Sequence, residues 1–156
     1  MDRVTARLRA REEGPVLGAW VVLWSAWSFA AEPARSVDVE VQLVRASRGE
    51  PYVDPALRDE LPDLKALPFN RFERLSGGDG RVDQGADREA DLGHGVRVSV
   101  KILSVDEASS AAAVSIWRDG VRLSGTTVVR PYDRAAVISA GREGDAVLVV
   151  PITVRR

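Results

Sequence analysis

Apolar and polar side chains alternate in several stretches of the chain. Over residues 37–43, valines and one leucine occupy the odd positions and polar residues the even ones, and similar alternation recurs over 96–102 and 112–116. A period of two predicts β-strands with one face on a core and the other toward water. Asp119-Gly120 follows the third run, and because both residues accept positive φ, this dipeptide predicts a tight hairpin turn.

The segment after the first predicted strand contains the one helical pattern of the chain. Asp54-Pro55 is a typical helix start, and leucines follow at helical spacing, with Pro62 inside the pattern. We therefore expect one short, imperfect helix near residues 55–66. Residues 76–95 are rich in glycine and acids, and this composition predicts mostly loop.

The C-terminal half predicts a succession of further strands. The alternation changes phase after Ile102, as a β-bulge would cause. The last strand, over residues 146–154, is apolar throughout, which suggests burial on both faces, and Pro151 restricts it to a sheet edge or a bulge. Short turns between strands favour antiparallel neighbours. The sequence therefore predicts an α+β fold, mainly antiparallel β, as a sandwich or a curled sheet with one short helix over residues 31–156.

The first thirty residues resemble an export signal. Arginines precede an uncharged, apolar run over residues 16–31, and Ser28 and Ala30 suit the small-residue positions of a signal peptidase site. The run is shorter than the ~20 residues that a membrane-spanning helix needs. We interpret residues 1–30 as a secretory signal peptide, which predicts a periplasmic or extracellular protein. An uncleaved inner-membrane anchor, favoured by the tryptophans of this segment, and a buried helix are the alternatives.

Composition excludes several kinds of chemistry. The absence of Cys rules out disulfides, thiolate zinc sites, iron–sulfur clusters and a cysteine nucleophile. A net charge of −1 gives no basic footprint for nucleic acid, and 45% apolar residues argue against disorder. No phosphate-binding loop, nucleophile elbow or dinucleotide-binding glycine motif occurs. We expect no cofactor and no nucleic-acid partner, and contact with a membrane only through an uncleaved N-terminal segment.

His94 is the one histidine and lies between two glycines. A catalytic or metal-binding role would need acidic partners, and Asp87 and Asp91 are the nearest in sequence. The alternative is a tight turn that leads into the strand starting at Val96, with the ring exposed.

The acids of segment 76–95 are candidate ligands for Ca²⁺, a hard cation that takes oxygen ligands. The candidates are Asp79, Asp83, Asp87 and Asp91. The EF-hand spacing is absent, and the alternative is a solvated acidic loop.

Trp117 falls out of phase with the buried positions of its strand. It is therefore a candidate for the outer face of a sheet, next to Arg118, where an exposed aromatic residue would be a recognition hot spot. The alternative is that Trp117 packs against the long loop or the helix.

The last strands resemble the end of a secretin core. The resemblance rests on Thr126-Thr127-Val128-Val129-Arg130, on the turn at residues 136–141 and on the final strand at residues 148–154. The long pore-forming strands of secretins have no counterpart here, so the resemblance implies no pore. With a first strand ending near Leu43-Val44-Arg45-Ala46-Ser47, a helix start at Asp54-Pro55-Ala56-Leu57 and a β-rich second half, the chain after the leader is also similar to a group of small exported, mostly uncharacterised bacterial β-rich proteins. Both resemblances imply an envelope binding or assembly role.

These observations favour an exported, non-catalytic envelope protein that acts by contact with a protein partner, through a sheet edge or the face bearing Trp117. A secretion or surface-appendage assembly is one setting for such an accessory. The alternative is an exported hydrolase or carbohydrate-binding domain that uses the acids of segment 76–95, with or without calcium. A third possibility is an accessory subunit anchored in the inner membrane.

Overall fold

The computed structural model describes residues 35–156, and the predicted signal peptide lies outside them. The elements are β1 (Ser36–Ser47), β2 (Tyr52–Val53), a 3₁₀ turn (Pro55–Leu57), α1 (Leu61–Leu64), β3 (Arg71–Asp83), β4 (Asp87–Gly93), β5 (Val96–Val105), β6 (Ser109–Arg118), β7 (Val121–Pro131), β8 (Ala135–Glu143) and β9 (Ala146–Arg155). Sheet A has the order β2-β3-β1-β9-β8, and sheet B the order β4-β5-β6-β7. Among these described strands, only β2 and β3 pair in parallel. The predicted, mainly antiparallel fold is thus confirmed.

The main core lies between the two sheets. The first half of β1 contributes its odd-numbered valines, whereas β5 and β6 contribute their even-numbered residues. Leu43, Ile116 and Leu148 are fully buried in this layer. Each such side chain stabilises the fold by about 1.5–3 kcal/mol relative to an exposed position. The alternation in the sequence therefore identified the core-facing side of three strands.

A second, smaller core covers part of the outer face of sheet A. A bulge at Leu75 shifts the register between β1 and β3 and turns Phe72 outward. Phe72 packs there with Val44, and the helical turns close the cluster with Leu57 and Leu64. The strands and the two cores described here lie within one compact unit of the chain, to which residues 35–156 belong, and a unit with its own core can fold by itself.

The predicted helix consists of two separate short turns. The Asp54 carboxylate accepts a hydrogen bond from the Ala56 N–H at 2.9 Å and caps the 3₁₀ turn. Pro62 lies in the first turn of α1, where its missing N–H would have no helical partner in any case. Pro62 therefore begins a second turn instead of kinking a longer helix. Within residues 35–156, no helix is long and apolar enough to cross a membrane.

The prediction of a loop over residues 76–95 is wrong. This segment forms the second half of β3, a short turn, β4 and the start of β5. Two of its glycines allow close packing in β3: the guanidinium of Arg74 lies over Gly77, and that of Arg88 lies over Gly80, where a Cβ would collide with it. Glycine in a strand marks such close approach as well as a turn.

The predicted turn and bulge of sheet B are confirmed. Asp119 and Gly120 have φ angles of 52° and 81° and join β6 to β7, and the β5–β6 register shifts after Ile102.

The expectation that Pro151 restricts its strand to an edge or a bulge is wrong, because β9 lies between β1 and β8 and neither neighbouring strand changes register at Pro151. The β1–β9 ladder is interrupted between Val41 and Val44, opposite Pro151. This interruption accommodates a residue without a backbone N–H.

Candidate functional site

Among residues 35–156, no element covers the outer face of sheet B. The helical turns and the second core lie on sheet A, and neither apolar cluster of residues 35–156 extends over the outside of sheet B. Along β6 the outward positions are small, with Ala111, Ala113 and Ser115 leading to Trp117 at the strand end. These small residues leave the outer surface of β6 flat, and the Trp117 side chain projects from one end of it.

A cleft of about 630 Å³ opens at that end, where the β4–β5 and β6–β7 turns meet. Its lining includes Trp117, the carboxylates of Glu89, Asp91 and Asp119, and the guanidinium of Arg97. Cross-strand pairing sets the spacing, because Arg97 lies opposite both Asp91 and Trp117. Directly opposed side chains are about 5 Å apart at Cβ, so these groups face one common ligand volume.

The two turns are tied together at the rim of the cleft. The N–H of Asp119 donates to the carbonyl of Gly95 at 2.9 Å. Gly95 has a φ of 73°, and a Cβ at this position would overlap the Asp119 carboxylate. Only glycine therefore allows the turn before β5 to approach Asp119 so closely.

The cleft carries net negative charge. The lining includes three acidic residues and one arginine. Asp119 lies 4.0 Å from the Nε of Arg118, whereas within residues 35–156 neither Glu89 nor Arg97 belongs to an ion pair. Asp91 uses one oxygen to accept the Gly93 N–H at 3.0 Å. Such an arrangement suits a positively charged group that would lie against an aromatic face and between carboxylates.

Trp117 and Arg118 point to opposite sides of sheet B. Trp117 is half-buried on the outer face, one of the two locations that the sequence left open. Arg118 reaches toward sheet A, where Nη1 donates to the carbonyl of Arg142 at 2.6 Å and to that of Ala140 at 3.4 Å. The predicted pair is therefore not brought together, because consecutive strand residues face opposite ways.

His94 forms the turn between β4 and β5 with a φ of 52°. Its Nδ1 lies 3.7 Å from a carboxylate oxygen of Glu143, and Arg45 donates to the other oxygen of Glu143 at 3.2 Å. Arg45 holds the pKa of Glu143 below its usual range, and His94 acts in the same direction. Asp87 and Asp91, the predicted partners of His94, are not its ionic partners.

The four calcium candidates are split between the two sheets. Asp79 and Asp83 lie on β3 in sheet A, whereas Asp87 and Asp91 lie on β4 in sheet B. Within the described range, no group of three or more His, Cys, Asp or Glu side chains is arranged to hold a metal ion.

Sequence reasoning missed two members of the cleft. Arg97 was visible only as a polar residue in a strand, and Asp119 only as a turn former, whereas Glu89 belongs to the acids of segment 76–95 that were candidates for ligand binding. Their common location depends on the register of β4, β5 and β6. The phase of Trp117 was the one signal in the sequence for this cleft. It indicated the face of the sheet but not which residues surround Trp117 there.

No family model, curated protein or solved structure matches this chain.

Proposed function

We propose that this chain is an exported, non-catalytic envelope protein that binds a protein partner through the outer face of sheet B, with Trp117 as the main contact residue. The observation that carries the proposal is the 630 Å³ cleft beside Trp117 on the uncovered face. The leader-like residues 1–30 support export. The resemblance of the last strands to a secretin core supports a role as an accessory of a secretion or surface-appendage assembly.

The charge of the cleft indicates the chemistry of the partner. Glu89, Asp91 and Asp119 outnumber Arg97, so a lysine or arginine side chain of the partner is the complementary group. A cation over an indole ring gains about 0.5–2 kcal/mol. The partner therefore presents a basic residue from an exposed loop or extended segment, and Trp117 receives it.

The test is a selection of peptides with known sequences. A chain starting at residue 31 keeps every described element, and Trp117 is then its only tryptophan. This protein is used to select from a displayed random-peptide library, and binding of individual labelled peptides is measured by fluorescence anisotropy. We expect enriched peptides to contain Lys or Arg and Trp117→Ala to weaken them about 30-fold, the loss typical of a central aromatic contact.

A matched control distinguishes binding in the cleft from nonspecific hydrophobic binding. Leu103→Ala changes another exposed apolar residue of sheet B, 43% accessible and outside the cleft lining, and should leave peptide affinity unchanged. The proposal fails if selected peptides lack basic residues or bind Trp117→Ala as well as the parent protein.

A glycan panel run in parallel tests the carbohydrate alternative, which the combination of Trp117 with Glu89 and Asp91 also favours. Glycan binding that Trp117→Ala abolishes would replace a protein partner with a carbohydrate ligand.

A further inference from the structure

Sheet B ends in two edge strands of different character. The edge strand β7 is almost wholly exposed along its length, and its Val121 and Val129 are 63% and 67% accessible. Its two charged residues are Arg122 and Arg130. An exposed edge strand offers unpaired backbone N–H and C=O groups to another chain unless charge, proline or a covering element protects it.

The opposite edge, β4, is acidic on its outer face. Asp87, Glu89 and Asp91 are all exposed there. The two edges of sheet B thus carry opposite charge on the same face, with Arg122 at one edge and a row of carboxylates at the other.

We propose that copies of this chain join edge to edge, with β7 of one copy pairing with β4 of the next to continue sheet B. The four strands alternate in direction. A second copy displaced sideways, without rotation, therefore presents β4 antiparallel to β7. This interaction goes beyond the proposed function, because it joins copies of this chain through the strand edges. It shares Asp91 with the cleft, so Arg122 of the neighbouring copy would lie beside the cleft.

The register within sheet B places the opposite charges at the same level. Asp91, Arg97, Trp117 and Arg122 are successive cross-strand partners and form one row across the sheet. The Arg122 Nη2 donates to the Ser115 hydroxyl at 3.0 Å, and in the extended sheet the guanidinium would turn toward Asp91 of the next copy. Opposite charges at directly facing positions stabilise strand pairing, and like charges destabilise it.

Part of β4 is already occupied, which limits the length of the contact. The Ser76 hydroxyl of β3 donates to the Leu92 carbonyl, so the stretch over residues 87–91 is the part available for pairing. Within the same rows of sheet B, Thr127 lies level with Asp87. Arg130 therefore falls beyond the end of the neighbouring β4.

Such a contact does not close on itself. Each copy uses two different edges, so every added copy exposes a fresh β7 and a fresh β4, and the product is an open chain of copies unless a rotation closes it into a ring. The structure thus points to growth beyond a dimer.

Charge reversal tests the pairing directly. Arg122→Asp and Asp91→Arg should each weaken self-association about tenfold, since each places like charges opposite one another. Mixing the two variants restores opposite charges at both kinds of contact, so their mixture should associate like the parent chain. Arg130→Asp, the same change on the same strand beyond the pairing region, should associate normally.

Analytical ultracentrifugation from micromolar to millimolar concentration measures the outcome on the chain starting at residue 31. Circular dichroism confirms that each variant is folded. The proposal predicts concentration-dependent species larger than a dimer. A chain that stays monomeric, a dimer that does not grow, single variants that associate like the parent chain, or a mixture without restored association would each overturn it.

Discussion

Asp63 of α1 fastens the helical turns to the start of β8. One carboxylate oxygen accepts hydrogen bonds from Arg134, at 2.7 Å from Nη2 and 3.2 Å from Nε, and the other accepts the Ala135 N–H at 2.9 Å. The Asp63 side chain is 10% exposed, and Ala135 is buried. Asp63→Ala therefore removes three hydrogen bonds and leaves a buried N–H without a partner.

The two parts of this loss differ in size. Arg134 is 55% exposed, so its ion pair with Asp63 contributes only about 0.2–1 kcal/mol after solvent screening. An unpaired buried N–H, here that of Ala135, costs about 1–3 kcal/mol. We expect Asp63→Ala to lower the free energy of unfolding by about 2 kcal/mol and the melting temperature by about 5–10 °C.

The loss should depend on pH with a definite sign. Burial by itself raises the pKa of Asp63, but hydrogen bonds from Arg134 and Ala135 outweigh burial and bring the pKa below 3.8. A carboxylate with a lowered folded-state pKa stabilises the fold fully above its unfolded pKa, and this contribution disappears as pH falls through the folded-state value. The deficit of Asp63→Ala should therefore be largest near pH 7 and shrink below pH 3.8.

Urea unfolding of the chain starting at residue 31, followed by circular dichroism at pH 7 and at pH 3, measures both effects. Asp59→Ala is the matched control, because Asp59 is an acid between the same two helical turns. Its side chain is 69% exposed, and its ionic partner is Arg155, 3.3 Å away at the surface. Its substitution should change stability by less than about 0.5 kcal/mol. The reasoning is refuted if Asp63→Ala is as stable as Asp59→Ala at pH 7, or if its deficit is the same at both pH values.

Two further predictions concern a buried acid and the leader. Glu60 is 2% exposed, one of its oxygens has no partner within residues 35–156, and burial raises its pKa above 4.5. The ionised form therefore destabilises the fold at pH values above the folded-state pKa. Glu60→Gln should raise the free energy of unfolding by about 1 kcal/mol at pH 7, and this gain should vanish near pH 4 in the same urea assay. After export of the full chain, the intact mass of the protein should correspond to a chain that begins at Ala31. A mass that includes residues 1–30 would instead support the anchored form.

Local pattern was enough to predict much of the fold. The period-two alternation identified the core-facing side of β1, β5 and β6, because a strand with one face buried must alternate. Asp119-Gly120 identified its hairpin because the required positive φ angles restrict the residues that fit. The same phase argument placed Trp117 on the outer face. The export signal and the secretin-like resemblance stay predictions.

Contacts between distant segments decided the remainder. The glycines of β3 looked like loop residues, since the sequence does not reveal that Arg74 and Arg88 pack over Gly77 and Gly80. The sequence also restricted Pro151 to an edge or a bulge, whereas an interrupted ladder accepts it inside sheet A. The cleft at Trp117 exists only because strand register aligns Asp91 with Arg97. The sequence by itself determined which side of a strand is buried, because the alternation that shows it lies between neighbours along the chain. Which residues meet across strands depends on the register of the strands. Only the packed sheets set this register.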